Sequence, residues 1–87
     1  MINDIHYLKI WPDFFKASLE GRKKFEVRKD DRDGGFKVGD ILILQEWFPP
    51  PNHAGKYSGR CLARTVTYIF RGPLFGLEEG YVVLGVE

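Results

Sequence analysis

The stretch GRKKFEVRKDDR, residues 21–32, decides how this chain is read, because inside it Lys24, Glu26 and Arg28 alternate with Phe25 and Val27. Successive side chains of an extended strand point to opposite faces. The alternation predicts a strand from Lys23 to Lys29 that roots Phe25 and Val27 in a core and lines the charges along its other side. Charges on a strand are held more firmly than charges on a loop, and a row reading plus, minus, plus suits an anionic ligand such as a nucleotide or phosphodiester. The same row also fits a solvated sheet face carrying cross-strand ion pairs.

Outward from this strip the pattern stays strand-rich. His6 to Trp11 alternates and is ended by Pro12. Pro12 and Asp13 open a short helix with Phe15 and Leu19 on one face and Gly21 at its end. Asp30 to Phe36 reads as a loop and Val38-Gly39-Asp40 as a tight turn. Ile41 to Trp47 is a third strand, apolar on both faces as inside a barrel or sandwich. Phe48 to Ser58, with Pro49, Pro50 and Pro51 followed by Asn52 and His53, reads as a loop, and Arg60 to Phe70 as a long strand. Gly72-Pro73 turns the chain, Phe75, Gly76 and Leu77 cross, and Tyr81 to Val86 is a buried last strand. Without alternating crossover helices a parallel α/β sheet is excluded. The expectation is a mainly β (α+β) fold: a small antiparallel β-barrel with one helix packed after the first strand. Phe25, Val27, Leu42, Leu44, Val83 and Leu84 are its predicted core.

At 87 residues the chain is read as one domain, 1–87, large enough to bury a little over ~60% of its unfolded surface. The single cysteine, Cys61, excludes an internal disulfide and is expected to be a small buried residue. No signal-peptide pattern and no bilayer-length apolar run is present, so a cytoplasmic protein with no membrane partner is expected. The net charge of +1 hides a segregation. Arg22 to Arg32 holds six basic residues against three acids, while Trp47 to Leu77 holds Lys56, Arg60, Arg64 and Arg71 and no acid. If the two segments share a face, they make a basic patch for phosphates. His6 and His53 are far apart and Cys61 stands alone, so no metal pattern emerges; nor does a Ser/His/acid set, and no cofactor is implied. His6 is expected to pack or hydrogen-bond rather than to catalyse.

Several pieces in order carry a family resemblance: His6-x-Leu8-Lys9-Ile10-x-Pro12, Phe15, Gly21-x-Lys23-x-x-Glu26-x-Arg28, Val38-Gly39-Asp40, Gly76-Leu77 and Gly80-Tyr81-Val82-Val83-Leu84. From His6 to Val86 the chain resembles the small bacterial and phage branch of the ASCH domains, within the PUA-like superfamily. That resemblance implies a five- or six-stranded pseudobarrel, a cleft between the first helix and neighbouring strands, and RNA or a modified nucleotide as ligand. It carries Lys23, Glu26 and Arg28 over as cleft residues, whereas strict alternation favours Lys24 over Lys23.

The leading expectation is therefore an RNA- or nucleotide-binding module of RNA metabolism. Lys9, Lys23, Lys24, Arg28 and Arg60 would meet phosphate or ribose, Glu26 would accept from a base amino group or orient Arg28, and Trp11, Tyr57 or Tyr68 would stack. An alternative follows from the same resemblance, since some ASCH proteins are amidohydrolases that deacetylate N4-acetylcytidine with a lysine, a threonine and a glutamate. Lys23 matches the lysine, Glu26 stands at the threonine position, and the segment supplying the glutamate is missing from this shorter chain. On that reading Lys23 and Glu26 are the catalytic candidates. A third reading is a protein-interaction module with an apolar patch around Trp47, Phe48 and the prolines.

Overall fold

The computed structural model describes residues 3–51 and 55–87; Asn52 and His53 of the proline-rich stretch lie outside them. The chain runs β1 (Ile5–Ile10), α1 (Pro12–Leu19), β2 (Phe25–Lys29), β3 (Ile41–Phe48), β4 (Lys56–Arg71) and β5 (Tyr81–Val86). The strands make a five-stranded sheet in the order β1-β3-β4-β5-β2. The pairing is antiparallel except between β1 and β3, which run parallel because α1, β2 and the loop after it return the chain to the start of β1 before β3 begins. The fold is thus mainly β with one short helix among the described residues.

β4 is longer than the Arg60 to Phe70 strand read from the sequence, because it serves two neighbours. Its first part pairs with β3 and its last part with β5, and a register shift between Val66 and Tyr68 marks the bend between them. An extra residue in one strand bends it and increases its twist. The curved sheet encloses Leu8, Ile10, Leu42, Leu44, Val66, Val82, Leu84 and Val86, with Phe15 of α1 and Phe36 of the 30–40 loop closing the core. At the base, Asp40 is fully buried and accepts hydrogen bonds from His6 Nε2 (2.8 Å) and from the backbone N–H groups of Lys37 (2.9 Å) and Asp4 (3.1 Å). His6 is therefore a structural hydrogen-bonding residue, and its ring packs on Phe36.

The structure departs from four sequence expectations. Phe25 and Val27 do not enter the core: they are 46% and 51% exposed, and Glu26 is buried at 2%. The cause is register, since Glu26 pairs with Leu84, an inward residue of β5, and cross-strand partners share a face. Val83 stands in the outward row with Val27 and is half-buried. On α1 the inward residues are Phe15 and Ser18, while Leu19 is exposed. Ser18 tolerates burial because its hydroxyl donates to Lys23 O at 3.5 Å, and its carbonyl accepts from Arg64 Nη2 at 2.7 Å and from Gly21 N–H at 3.1 Å. Cys61 is exposed, because alternation along β4 turns Leu62 toward the core and Cys61 away from it.

Candidate functional site

α1 begins at Pro12, whose missing N–H costs nothing in the first turn, and ends in a left-handed glycine. Gly21 has φ +79°, its N–H donates to Ser18 O, and Arg22 N–H donates to Ala17 O at 2.9 Å. This is the Schellman pattern, in which the left-handed residue satisfies the last carbonyls and reverses the chain. The reversal delivers Arg22 and Lys23 back beside the helix and starts β2 at Phe25.

Between α1 and the two strands at the ends of the sheet order lies a cavity of about 500 Å³. β1 supplies Lys9 and Ile10, the helix and its approach supply Trp11, Phe14 and Ala17, and the chain from Arg22 to Arg28 supplies the rest. Glu26 is its buried charge. Glu26 Oε1 accepts from Arg28 Nε (3.2 Å) and Nη2 (2.8 Å), and Oε2 accepts from the Lys23 ammonium. Lys23 also donates to Phe25 O at 2.8 Å, and its Nζ lies 5.1 Å from the Phe25 ring centre and 5.8 Å from that of Phe14. Trp11 and Phe14 stack with centroids 6.1 Å apart. The result is an aromatic-walled pocket around a carboxylate clasped by two cations, with Lys9 and Arg22 adding positive charge to its lining.

Such a clasp leaves specific capacity. An ammonium has three donors, of which Lys23 spends two inside the protein, and a carboxylate oxygen has two lone pairs, of which Glu26 Oε2 spends one on Lys23. One Lys23 donor and one Glu26 Oε2 acceptor therefore have no partner among the described residues. The aromatic rings offer flat faces on which a planar ring stacks.

Of the residues singled out from the sequence, the structure gathers Lys9, Trp11, Lys23, Glu26 and Arg28 into this pocket. Four others do not line it. Lys24 precedes β2 and is exposed, so the turn lysine rather than the alternation lysine reaches Glu26. Tyr57 and Tyr68 are exposed on β4, where Tyr57 pairs with Trp47 and Tyr68 with Gly85. Arg60 clasps buried Glu46 through Nε (3.0 Å) and Nη2 (2.9 Å) and covers the Phe15 ring. That guanidinium holds the Glu46 carboxyl below the usual range against the opposing effect of burial. Arg64 and Arg71 are likewise drawn inward, to Ser18 O and to Asp30 and Phe36 O. Arg60, Arg64 and Arg71 of the second basic segment thus brace the fold and do not line this pocket. Trp47 and Phe48 are half-buried, with Lys9 Nζ 4.6 Å from the Trp47 ring.

Phe14, Arg22, Phe25 and Val27 also line the pocket, although the sequence alone does not mark them as site residues. Phe14 had a signal, since Trp11 and Phe14 are three apart at a helix start and so share a face. Asp4, His6 and Asp40 also bring potential metal-ligand atoms within 4.8 Å of one another, across a sequence gap that hid the grouping. Those side chains are committed to each other and to Lys37, which donates to Asp4 Oδ2 at 2.8 Å.

Two comparisons bear on this geometry. The family profile described as "Domain of unknown function (DUF3850)" matches residues 5–86. An "Uncharacterized 12.9 kDa protein in GpA 3'region" of Escherichia phage P2 is 37% identical over 84 residues, covering 97% of this chain and 69% of the phage protein.

Proposed function

We propose that this chain, which belongs to the DUF3850 family, binds RNA or a nucleotide-like ligand in the pocket between α1, β1 and β2. One observation carries the reading: the buried Glu26 carboxylate, held by Lys23 and Arg28 inside aromatic walls. Burying an ion pair returns little net stability, and packed apolar residues often do as well or better. β2 had such residues to bury, Phe25 and Val27, and turns them outward. A local rule broken in this way, inside a cavity of ligand size, is characteristic of a binding site.

The chemistry of the pocket matches the ligand class. Cations meet phosphate, Trp11, Phe14 and Phe25 stack a base, and Glu26 accepts from an exocyclic amino group. A PUA-like pseudobarrel of the ASCH type is the finer reading of the fold. It is supported by the curved sheet whose two end strands, β1 and β2, flank one pocket roofed by the first helix. The function would lie in RNA metabolism or its regulation.

The test is titration of the protein with short single-stranded RNA and with nucleotides at several salt concentrations. With three or four cations engaged, RNA affinity should fall with salt at a log-log slope of roughly −2 to −3. Trp11→Ala and Arg28→Gln should each weaken binding, and no binding at low salt would overturn the proposal. A second reading, an amidohydrolase acting on a modified nucleoside, draws on the Lys23–Glu26 pair, a proton donor and acceptor in one pocket. Lys23 is placed there as a donor to two acceptors rather than as a base. We accordingly expect no acetate from N4-acetylcytidine, and release that disappears with Lys23→Ala would favour the hydrolase.

A further inference from the structure

Arg28 borders a second cavity as well as the first. This smaller space, about 220 Å³, is lined by Leu8, Arg28, Lys29, Asp31, Arg32 and Phe36. It draws on the same two strands as the larger pocket, next along β1 at Leu8 and next along β2 at Lys29, so the two cavities are neighbours sharing the Arg28 side chain. We propose that it is an anion subsite in which Arg28, Lys29 and Arg32 take the phosphate of a nucleotide whose base occupies the larger pocket.

The charge and its disposition support this. Three cations line the space against one carboxylate, Asp31. Arg28 spends Nε and Nη2 on Glu26, which fixes the guanidinium plane and leaves Nη1 without a partner among the described residues. Arg32 is tethered by one nitrogen only, Nη2 to Tyr7 O at 3.0 Å, a contact that holds it over β1 with its remaining N–H groups uncommitted. The Lys29 ammonium makes no hydrogen bond or ion pair with any described residue, although its backbone belongs to the β2–β5 ladder. Arg32 and Lys29 differ in this from Arg22, Arg60 and Arg71, each matched to a carboxylate, and from Arg64, which donates to two backbone carbonyls. Leu8 and Phe36, both in the core, give the space a rigid wall. Planar guanidinium groups with free N–H donors recognise phosphate oxygens well, and a preorganised group loses less on binding. Arg28 then has two functions on its two sides: it neutralises Glu26 in the base pocket and presents Nη1 to the phosphate.

This inference rests on the reading of the larger pocket as a base site, and the experiment separates the two. The full chain is titrated with the four common ribonucleosides, their 5′- and 3′-monophosphates, and inorganic phosphate, following tryptophan fluorescence and heat. At least one monophosphate should bind about tenfold or more tightly than its parent nucleoside, as charge-assisted hydrogen bonds to a phosphate would give. The double variant Lys29→Gln/Arg32→Gln should lose that advantage and keep nucleoside affinity within about twofold. Both residues are on the surface, and circular dichroism checks that the variant folds. In wild type, independently, added salt should erode the advantage of the monophosphate and leave nucleoside binding nearly flat. Equal affinity of nucleoside and monophosphate, or an advantage that survives the double variant, overturns the subsite while leaving the base pocket standing. Failure of every nucleoside and nucleotide to bind overturns the base pocket and the subsite with it.

Discussion

At Glu26 the chain buries a carboxylate that two cations hold. Removing the carboxylate leaves Lys23 and Arg28 facing each other across a partly buried site, and breaking one partner of a buried ion pair typically costs about 3–5 kcal/mol. Glu26→Ala should fall in that range by urea denaturation, and Glu26→Gln, which keeps an acceptor oxygen for Arg28, should cost less. Asp40 sets a pH dependence. Burial pushes its carboxyl up, but the His6 ring and the Lys37 and Asp4 backbone N–H groups outweigh it and hold the folded pKa below the ordinary 3.8. A depressed folded pKa means that this stabilisation is complete above 3.8 and is lost as pH falls through the folded value. Unfolding free energies followed downward from about pH 5 should therefore fall less steeply in Asp40→Asn than in wild type.

Among the elements, the helix end matters most to the site, because it aims Lys23. Gly21 at φ +79° has open space around it, so Gly21→Ala meets no clash and pays only the left-handed backbone penalty of about 1–2 kcal/mol. The same variant should also weaken ligand binding, since the turn fixes where Lys23 emerges. Titration and thermal unfolding together measure both effects. Gly72 fails differently: a Cβ there would sit 2.3 Å from Glu78 O, a backbone atom, so Gly72→Ala must displace the turn before β5 and should be the more destabilising of the two. In β3, Leu44 is fully buried, and Leu44→Ala should cost on the order of 2–5 kcal/mol.

For the whole molecule, the pocket draws on β1, α1 and β2, while Arg60, Arg64 and Arg71 brace the fold outside its lining. Replacing Tyr68 or Arg60, which do not line the pocket, should leave mononucleotide affinity within about twofold, whereas Trp11→Ala should reduce it by more. Equal losses in all three would place the ligand elsewhere. Strand periodicity, the proline that opens α1, the glycine that ends it and the turn residues are local features, and from them the sequence determined a mainly β domain with one early helix. Alternation also marked Glu26 and Arg28 but favoured Lys24 beside them, and Lys23 entered only through the family resemblance. What the sequence left undetermined was which face of β2 is inside, because alternation defines two faces and only pairing with β5 assigns one of them to the core. It likewise left open the partners of the second basic segment, since Arg60, Arg64 and Arg71 find Glu46, Ser18 and Asp30 through tertiary contacts across 14, 46 and 41 residues. Only the folded sheet brings β1 and β2 to either side of one groove, and that placement turns a charged strip into a pocket.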